Sequence, residues 1–515
     1  MQQISRALMA AGAMAVFATG PAMAQKSEDT IRVALHQPMG VIDGFYDPRP
    51  EQSLVSFMVF DSLVMFDAEQ RKFVPHVAES WTRIDGKTME FKIRQGIKFH
   101  DGSDLDADDV VHSLNFGKDP KYAFRFKGTR FGYIDKVEKI DQYTVRITAK
   151  RDYFAFLGRL ASQPPIYPSD YHTSFKDPTE FGKKPIGSGN FRVVSVDATK
   201  GVVLEKFDGY KHSSSAKPAA QAKRIHLTQV PDRQTQIAKM ITGELDIIYN
   251  VALEQADELR KMPNLAVEVE PTVTFSYIYF DAVDKSGIGV FKDIRVREAL
   301  MQAIDRNALK KALLPQEMHN EPLQDAMCHS WHISCASSAK VPTYDLDKAK
   351  ALLKEAGLQD GFKLEITTWG ASIKTAEAVA GMLRRVGVEA TVDAQTFVGY
   401  LKKRSANKVN TFVSLWDNGG AQPDVENTAG FFWLKGSRDY HGDEILHGLV
   451  GKGGSELDPE KRAEIFASGF DRIIEQRYQM PLIPIPSVVV HDKGVEIQGG
   501  HKSPKGFELN RIRWK

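Results

Sequence analysis

The sequence predicts a mixed α/β protein of several domains, and three observations carry that prediction. The first is size: 515 residues, 42% hydrophobic and 26% charged, make an ordinary globular composition, long enough for about three domains at ~150 residues each. The second is the stretch from Lys363 to Asp393. Residues 364–368 read as a strand and 376–386 as a helix with Val379, Met382, Leu383 and Val386 at helical spacing; Gly387 stops it before the next strand, 388–392. Such a β-α-β unit calls for parallel strands and a right-handed crossover. The third is the block from Phe73 to His112. There, 81–84 and 88–93 read as a hairpin around Asp85-Gly86, with Met89, Phe91 and Ile93 on one face and Glu90, Lys92 and Arg94 on the other.

The other elements follow in chain order. A single Arg6 precedes an apolar run over 7–20, and Pro21 leads into Ala22-Met23-Ala24, an Ala-x-Ala cleavage site before Gln25. Residues 1–24 therefore read as a secretory signal peptide. The run is too short to span a bilayer, and no later segment has the length and apolarity of a membrane helix. No cysteine sits at the cleavage site to carry a lipid, so the mature chain is expected to be soluble and retained in the periplasm. Cleavage removes one charge, Arg6, from a formal net charge of +2. A chain this close to neutral is a poor match for nucleic acid, whose binding domains carry a basic excess.

Residues 30–35 read as a strand, followed by a loop holding His36, Gly40, Gly44, Phe45 and Tyr46. After the hairpin, Asp101-Gly102 turns the chain, Asp106 is placed to cap a helix with Asp109 as the capping-box acid, and Val110, Val111 and Leu114 form its buried stripe. Alternation marks strands at 144–148, 191–194 and 201–205, with a lysine/serine loop at 211–218 and a helix at 345–356 ended by Gly357.

Glu79-Ser80-Trp81, Gly96-Ile97-Lys98-Phe99-His100-Asp101-Gly102 and Asp108-Asp109-Val110 resemble the corresponding region of family 5 of the extracellular solute-binding proteins of ABC importers, the dipeptide-, oligopeptide- and nickel-binding type. Pro185-Ile186-Gly187-Ser188-Gly189 resembles a further family segment, with Asn190 where proline is usual. The run from Asp293 through Leu300 to Ala303-Ile304-Asp305-Arg306 resembles the family's long helix. The resemblance implies a type II periplasmic binding protein-like fold, two lobes joined by a hinge, with an extra inserted domain. Domain I would combine 25–57, 187–270 and 488–515, domain II would be the insertion at 58–186, and domain III would span 271–487. Crossings near 186–190, 271–276 and 485–490 would form the hinge. The implied function is capture of a small solute by hinge closure and delivery, by a monomer, to an inner-membrane ABC permease and its ATPase subunits, with no cofactor of its own.

In open α/β sheets, ligands sit outside the carboxyl ends of the strands. That rule selects three loops: the one with Phe45 and Tyr46, the one starting Trp369-Gly370, and Trp416-Asp417-Asn418-Gly419-Gly420. The tryptophans offer flat surfaces with one donor each, and Asp417 a fixed negative charge. The segment around Asp417 resembles the stretch of dipeptide-binding proteins whose aspartate pairs with the peptide α-amino group. The chain departs from them at 369–372, where their carboxylate-gripping arginine is replaced by Trp369-Gly370-Ala371-Ser372. Arg130, which with Arg125 flanks Phe126, is the candidate replacement. A short peptide or amino-acid-derived compound is the first solute class; a sugar stacked on Trp369 or Trp416 and a nickel chelate are the alternatives.

Cys328 and Cys335 bracket His329 and His332 in eight residues. In an oxidising compartment two close cysteines pair as a disulfide; a zinc or nickel site is the alternative. A periplasmic hydrolase is the competing class. Gly187-Ser188-Gly189 lacks the Gly-x-Ser-x-Gly frame, and neither His-Glu-x-x-His nor a phosphate-cradling Gly-x-x-x-x-Gly-Lys-[Ser/Thr] occurs. A receptor, not an enzyme, is expected.

Overall fold

The computed structural model describes residues 29–47, 49–124, 127–161, 164–418, 422–498 and 507–515. The expected signal peptide, Arg125, Phe126, Gly419 and Gly420 lie outside the described residues. Seven strands make the first sheet, in the spatial order Leu265–Glu270, Ser487–Asp492, Ile247–Tyr249, Thr30–Leu35, Arg224–Gln229, Gly201–Lys206 and Phe191–Asp197. Thr30–Leu35 is buried along its whole length and runs parallel to both neighbours, Arg224–Gln229 and Ile247–Tyr249. The one charge in this buried strand, Arg32, is met by the Asp246 carboxylate at 2.6 Å.

The four-stranded antiparallel sheet Ala78–Arg83, Thr88–Ile93, Thr144–Ala149 and Ile134–Asp141 holds the expected hairpin. Met89, Phe91 and Ile93 face the core. The helix Ala107–Lys118 that follows carries the full capping box: the Asp108 N–H donates to Asp106, and the Asp106 N–H donates to Asp109. A third sheet has the order Val388–Gln395, Phe362–Trp369, Thr411–Trp416, Phe275–Phe280 and Gln479–Pro484. Its first two strands are parallel, in register from Phe362 opposite Val388 to Trp369 opposite Gln395. The helix Ile373–Arg384 crosses between them, and Gly387, at φ 88°, makes the turn back.

The sequence read as one long helix from Asp293 to Arg306 is two. Ile294–Ala303 ends at Ile304, whose backbone is extended, and Asp305 caps a new helix, Arg306–Leu313, by accepting from the Ala308 N–H at 2.9 Å. An aspartate able to cap is a competitor for the helical backbone at that point.

One hydrophobic core runs through the first sheet and the inserted residues together, including Phe60, Phe91, Phe156, Val202 and Leu227. The third sheet has its own, with Phe280, Leu300, Val413 and Trp433. The chain passes between these cores side by side at 271–274 and 485–486, where the Thr272 hydroxyl donates to the Ile485 carbonyl and the Ile485 N–H to the Thr274 carbonyl. The segment 186–190, expected as a third hinge crossing, is packed against the first core, with Ser188 and Asn190 buried. A Cβ on Gly187 would lie 2.0 Å from the Val59 carbonyl oxygen and one on Gly189 2.1 Å from that of Met58. The Ser188 hydroxyl donates to Asp61 at 2.9 Å, and the Asn190 amide to the Pro218 carbonyl at 2.8 Å.

Candidate functional site

Strand direction decides where a ligand can sit. In the first sheet Leu35, Gln229, Tyr249 and Glu270 end on one edge and Ser487 begins there; in the third, Trp369, Gln395, Trp416 and Pro484 end on one edge and Phe275 begins there. The two hinge crossings run from one edge directly to the other. The carboxyl ends of both sheets therefore flank the same crevice, the position where open α/β sheets take ligands.

On the first edge a polar set fixes the strand ends. The Glu51 carboxylate accepts from the backbone N–H of His36 at 2.7 Å and of Gln37 at 3.1 Å, and from the Tyr249 hydroxyl at 3.0 Å. Arg233, at the first position of the helix Arg233–Ile241, donates to the carbonyls of Tyr249 and Asn250 at 3.1 Å each and reaches the His36 ring at 2.5 Å. Burial, and then the Arg233 charge, push the His36 imidazole below its ordinary value, so this ring is neutral near pH 7. Arg233 was not among the candidates drawn from sequence, although Pro231-Asp232-Arg233, directly after a strand, carries the signal of a helix cap at a strand's carboxyl end.

On the second edge, Trp369 is partly buried with its ring 4.9 Å from Phe397. Trp416 is 7% exposed, packs on Phe431 and Phe432, and donates its indole N–H to Thr428 at 2.8 Å. The donor assigned to Trp416 is therefore already committed. Asn418 sits at φ 54° and is fully buried, its amide donating to the carbonyls of Gln422 at 2.6 Å and Asp424 at 2.9 Å. Asp417, half-buried, lies between these two anchored residues, so its backbone is fixed on both sides.

The remaining candidates lie elsewhere. Phe45 is buried among Phe116, Phe124, Phe131 and Tyr167, and Tyr46 packs on Phe124. Arg130 donates to the Gly44 carbonyl at 2.9 Å. These three hold the 44–46 turn against the inserted residues, in the first core. The structure thus brings Trp369, Trp416 and Asp417 to one sheet edge and keeps Phe45, Tyr46 and Arg130 apart from them.

Cys328 and Cys335 form a disulfide, with Cα atoms 5.9 Å apart. Sulfurs bonded to each other are not thiolate ligands, which removes the zinc or nickel reading of that loop. Two further groups have metal-like composition. In Asp61, His76 and His212, the Lys217 ammonium already sits 2.6 Å from the Asp61 carboxylate and supplies the countercharge. In Asp439, His441 and His447, the His441 Nδ1 lone pair accepts the Asp443 N–H at 3.0 Å. No helix among the described residues is long and apolar enough to cross a membrane.

Residues 72–436 match the model of the bacterial extracellular solute-binding proteins, family 5. A glutathione-binding protein, GsiB, of Pectobacterium atrosepticum is 30% identical over 406 residues, covering 76% of this chain and 73% of the relative. Among solved structures, the periplasmic binding protein DppA of Helicobacter pylori, in complex with the peptide STSA, superposes with a TM-score of 0.76 at 21% identity, covering 95% of this chain and 99% of that one. The substrate-binding protein CtaP of Listeria monocytogenes gives 0.82 at 19% identity, covering 94% and 99%. At such identities the structures speak for the fold alone, a type II periplasmic binding protein-like one. The family match spans most of the chain and agrees with the relative, and the chain belongs to family 5 of the bacterial extracellular solute-binding proteins.

Proposed function

We propose that this chain is the periplasmic solute-binding component of an ABC importer, and that it captures a short peptide or amino-acid-derived compound between the two sheet edges by hinge closure. Residues 1–24 direct export, and the closed form delivers the solute to a membrane permease with its ATPase. The domain division is 25–57 with 187–270 and 488–515, then 58–186, then 271–487. The observation that carries the reading is the pair of sheet edges meeting at two adjacent crossings, with Asp417 held between buried neighbours on one of them. Asp417 takes the solute's amino group, and Trp369 covers its flat or apolar part. Arg233 and His36, across the crevice, stand where a carboxylate would be met, which answers the missing arginine at 369–372. A glutathione-binding relative supports a γ-linked or ordinary short peptide as the first ligand to try.

Thermal unfolding with glutathione and a set of di- to tetrapeptides tests this, since saturation at 100 times Kd adds about 2.7 kcal/mol. Asp417→Asn should weaken the best ligand by about 30-fold, on the order of 2 kcal/mol for a hydrogen bond to a charged group. Unchanged affinity would remove Asp417 from the site. Turnover of the bound compound by the purified protein would remove the receptor reading.

A further inference from the structure

The two lobes meet a second time, away from the hinge, and that contact runs to the loop carrying Asp417. Arg159, in the helix Phe156–Ala161 of the inserted residues, has only 10% of its side chain exposed. It enters the second lobe, where its guanidinium donates to the Asn427 side-chain oxygen at 3.3 Å and lies 3.8 Å from the Glu426 carboxylate. The Tyr153 hydroxyl, at 3.0 Å from Arg159 Nε, sets its direction. Asn427 in turn donates its amide to the Asn418 backbone carbonyl at 2.8 Å. The path from one lobe to the residue beside Asp417 is thus two hydrogen bonds long.

The receiving side is built and charged. Arg462, fully buried, donates to Asp424 at 2.7 Å, to the Ser334 hydroxyl at 2.7 Å and to the Gly453 carbonyl at 3.0 Å. Its charge lies 3.6 Å from Glu426, and Phe154 of the first lobe packs on its guanidinium at 4.4 Å. In their own lobe Asp424 and Glu426 face Arg462, and when the lobes are together they gain the largely buried Arg159 and the exposed Arg151. Without Arg159, the buried Glu426 carboxylate keeps Arg462 at 3.6 Å and only the solvent-exposed Arg151 from the first lobe, a costly arrangement. Burial pushes the Glu426 carboxyl above its ordinary value, with Arg159 as the largest opposing influence.

We propose that Arg159 is a positioning residue for solute capture: on closure it docks between Glu426 and Asn427 and, through Asn427, fixes the Asn418 carbonyl next to Asp417, so that the solute loop is completed by a residue the solute never touches. This rests on the reading of the Asp417 loop as the solute site. It predicts that lobe closure and solute retention share one determinant outside the crevice.

Two measurements test it separately. Nitroxide labels at Lys176→Cys and Lys354→Cys, exposed positions on the two lobes, report lobe separation by pulsed dipolar EPR without any solute. Native protein should show a closed-distance population, which Arg159→Met should deplete at least threefold and Arg159→Lys partly restore. Glutathione, as the probe, should dissociate at least tenfold faster from Arg159→Met with its association rate within threefold of native. Asn427→Ala should speed dissociation while leaving the lobe distances native. Native distances in Arg159→Met would overturn the proposal, and so would depleted closure with unchanged dissociation. If native protein binds neither glutathione nor the peptide set, the assigned ligand class fails, while the distance measurement still decides whether Arg159 closes the lobes.

Discussion

At the scale of single residues, the sharpest constraint is the Asp61 carboxylate. It is fully buried, and Lys217 at 2.6 Å, His212 at 2.8 Å, His76 at 2.9 Å and Ser188 at 2.9 Å all converge on it. Burial alone would raise this carboxyl, but Lys217, His76 and His212 together hold it well below the usual range. Among the described residues Asp61 is the only countercharge at the Lys217 ammonium, which also donates to the Phe60 carbonyl at 2.8 Å. Lys217→Met should remove the ammonium and leave the buried Asp61 carboxylate to His76, His212 and Ser188, at a cost of about 3–5 kcal/mol, whereas the double change with Asp61→Asn should recover a large part of it. Guanidinium unfolding of the three proteins checks this, and a double variant as unstable as Lys217→Met would show that packing, not charge, is at stake. In the sequence Lys217 sits in a lysine/serine loop and looks like any surface lysine. Its partner lies 156 residues earlier, and no local pattern announces a pair so distant.

Among the elements, local rules were legible and junctions were not. The capping box at Asp106 and Asp109, the alternation of Met89, Phe91 and Ile93, and the β-α-β unit after Lys363 all state their conformation within a few residues. The break at Ile304, the packing of Trp416 and the path from Arg159 to Asn418 depend on what lies across the fold. The segment 186–190 shows the difference. The resemblance marks it as a crossing, and what the fold adds is that Gly189 is small because the Met58 carbonyl passes 2.1 Å from where a Cβ would be. Gly189→Ala should force backbone to move and destabilise the first lobe by about 2 kcal/mol or more, in the range of overpacked sites. An alanine with native stability would mean that the crossing does yield. The disulfide loop is a second such junction: Trp331 donates its indole N–H to the Ala68 carbonyl at 3.3 Å and packs on Phe66 at 5.0 Å, while Arg71 donates to the Ser330 carbonyl at 2.9 Å. Replacing both cysteines by serine should cost about 2.5 kcal/mol for a loop of this length in the chain-entropy model, read as a lowered unfolding midpoint.

For the whole molecule, buried neutral histidines govern the response to acid. Burial pushes His100 and His172 down to about 4 and His332 down to about 3, against about 6.5 for an unperturbed histidine. As pH falls below about 6.5 the unfolded chain takes up protons that the folded chain refuses, so stability falls with pH until the folded values are reached. At pH 5 each of the three withdraws on the order of 2 kcal/mol, from 1.36 kcal/mol per pH unit. Asp43 and Glu426 work the other way: burial raises both carboxyls, so the fold gains a proton before the unfolded chain does and recovers some stability as pH drops. The histidines act from about 6.5 downwards, well above the ordinary carboxylate range, and should dominate between pH 7 and 5. His100 and His172 belong to the first lobe and His332 to the disulfide loop of the second, so both cores should weaken together. Hydrogen exchange in denaturant at pH 7 and 5, followed at the peptides containing Phe91 and Val413, reads each core on its own after correction for the intrinsic rate. Both should lose protection at pH 5, and His332→Gln should spare the second core alone about 2 kcal/mol of that loss. Equal protection at the two pH values would mean that the buried rings accept protons in the folded chain.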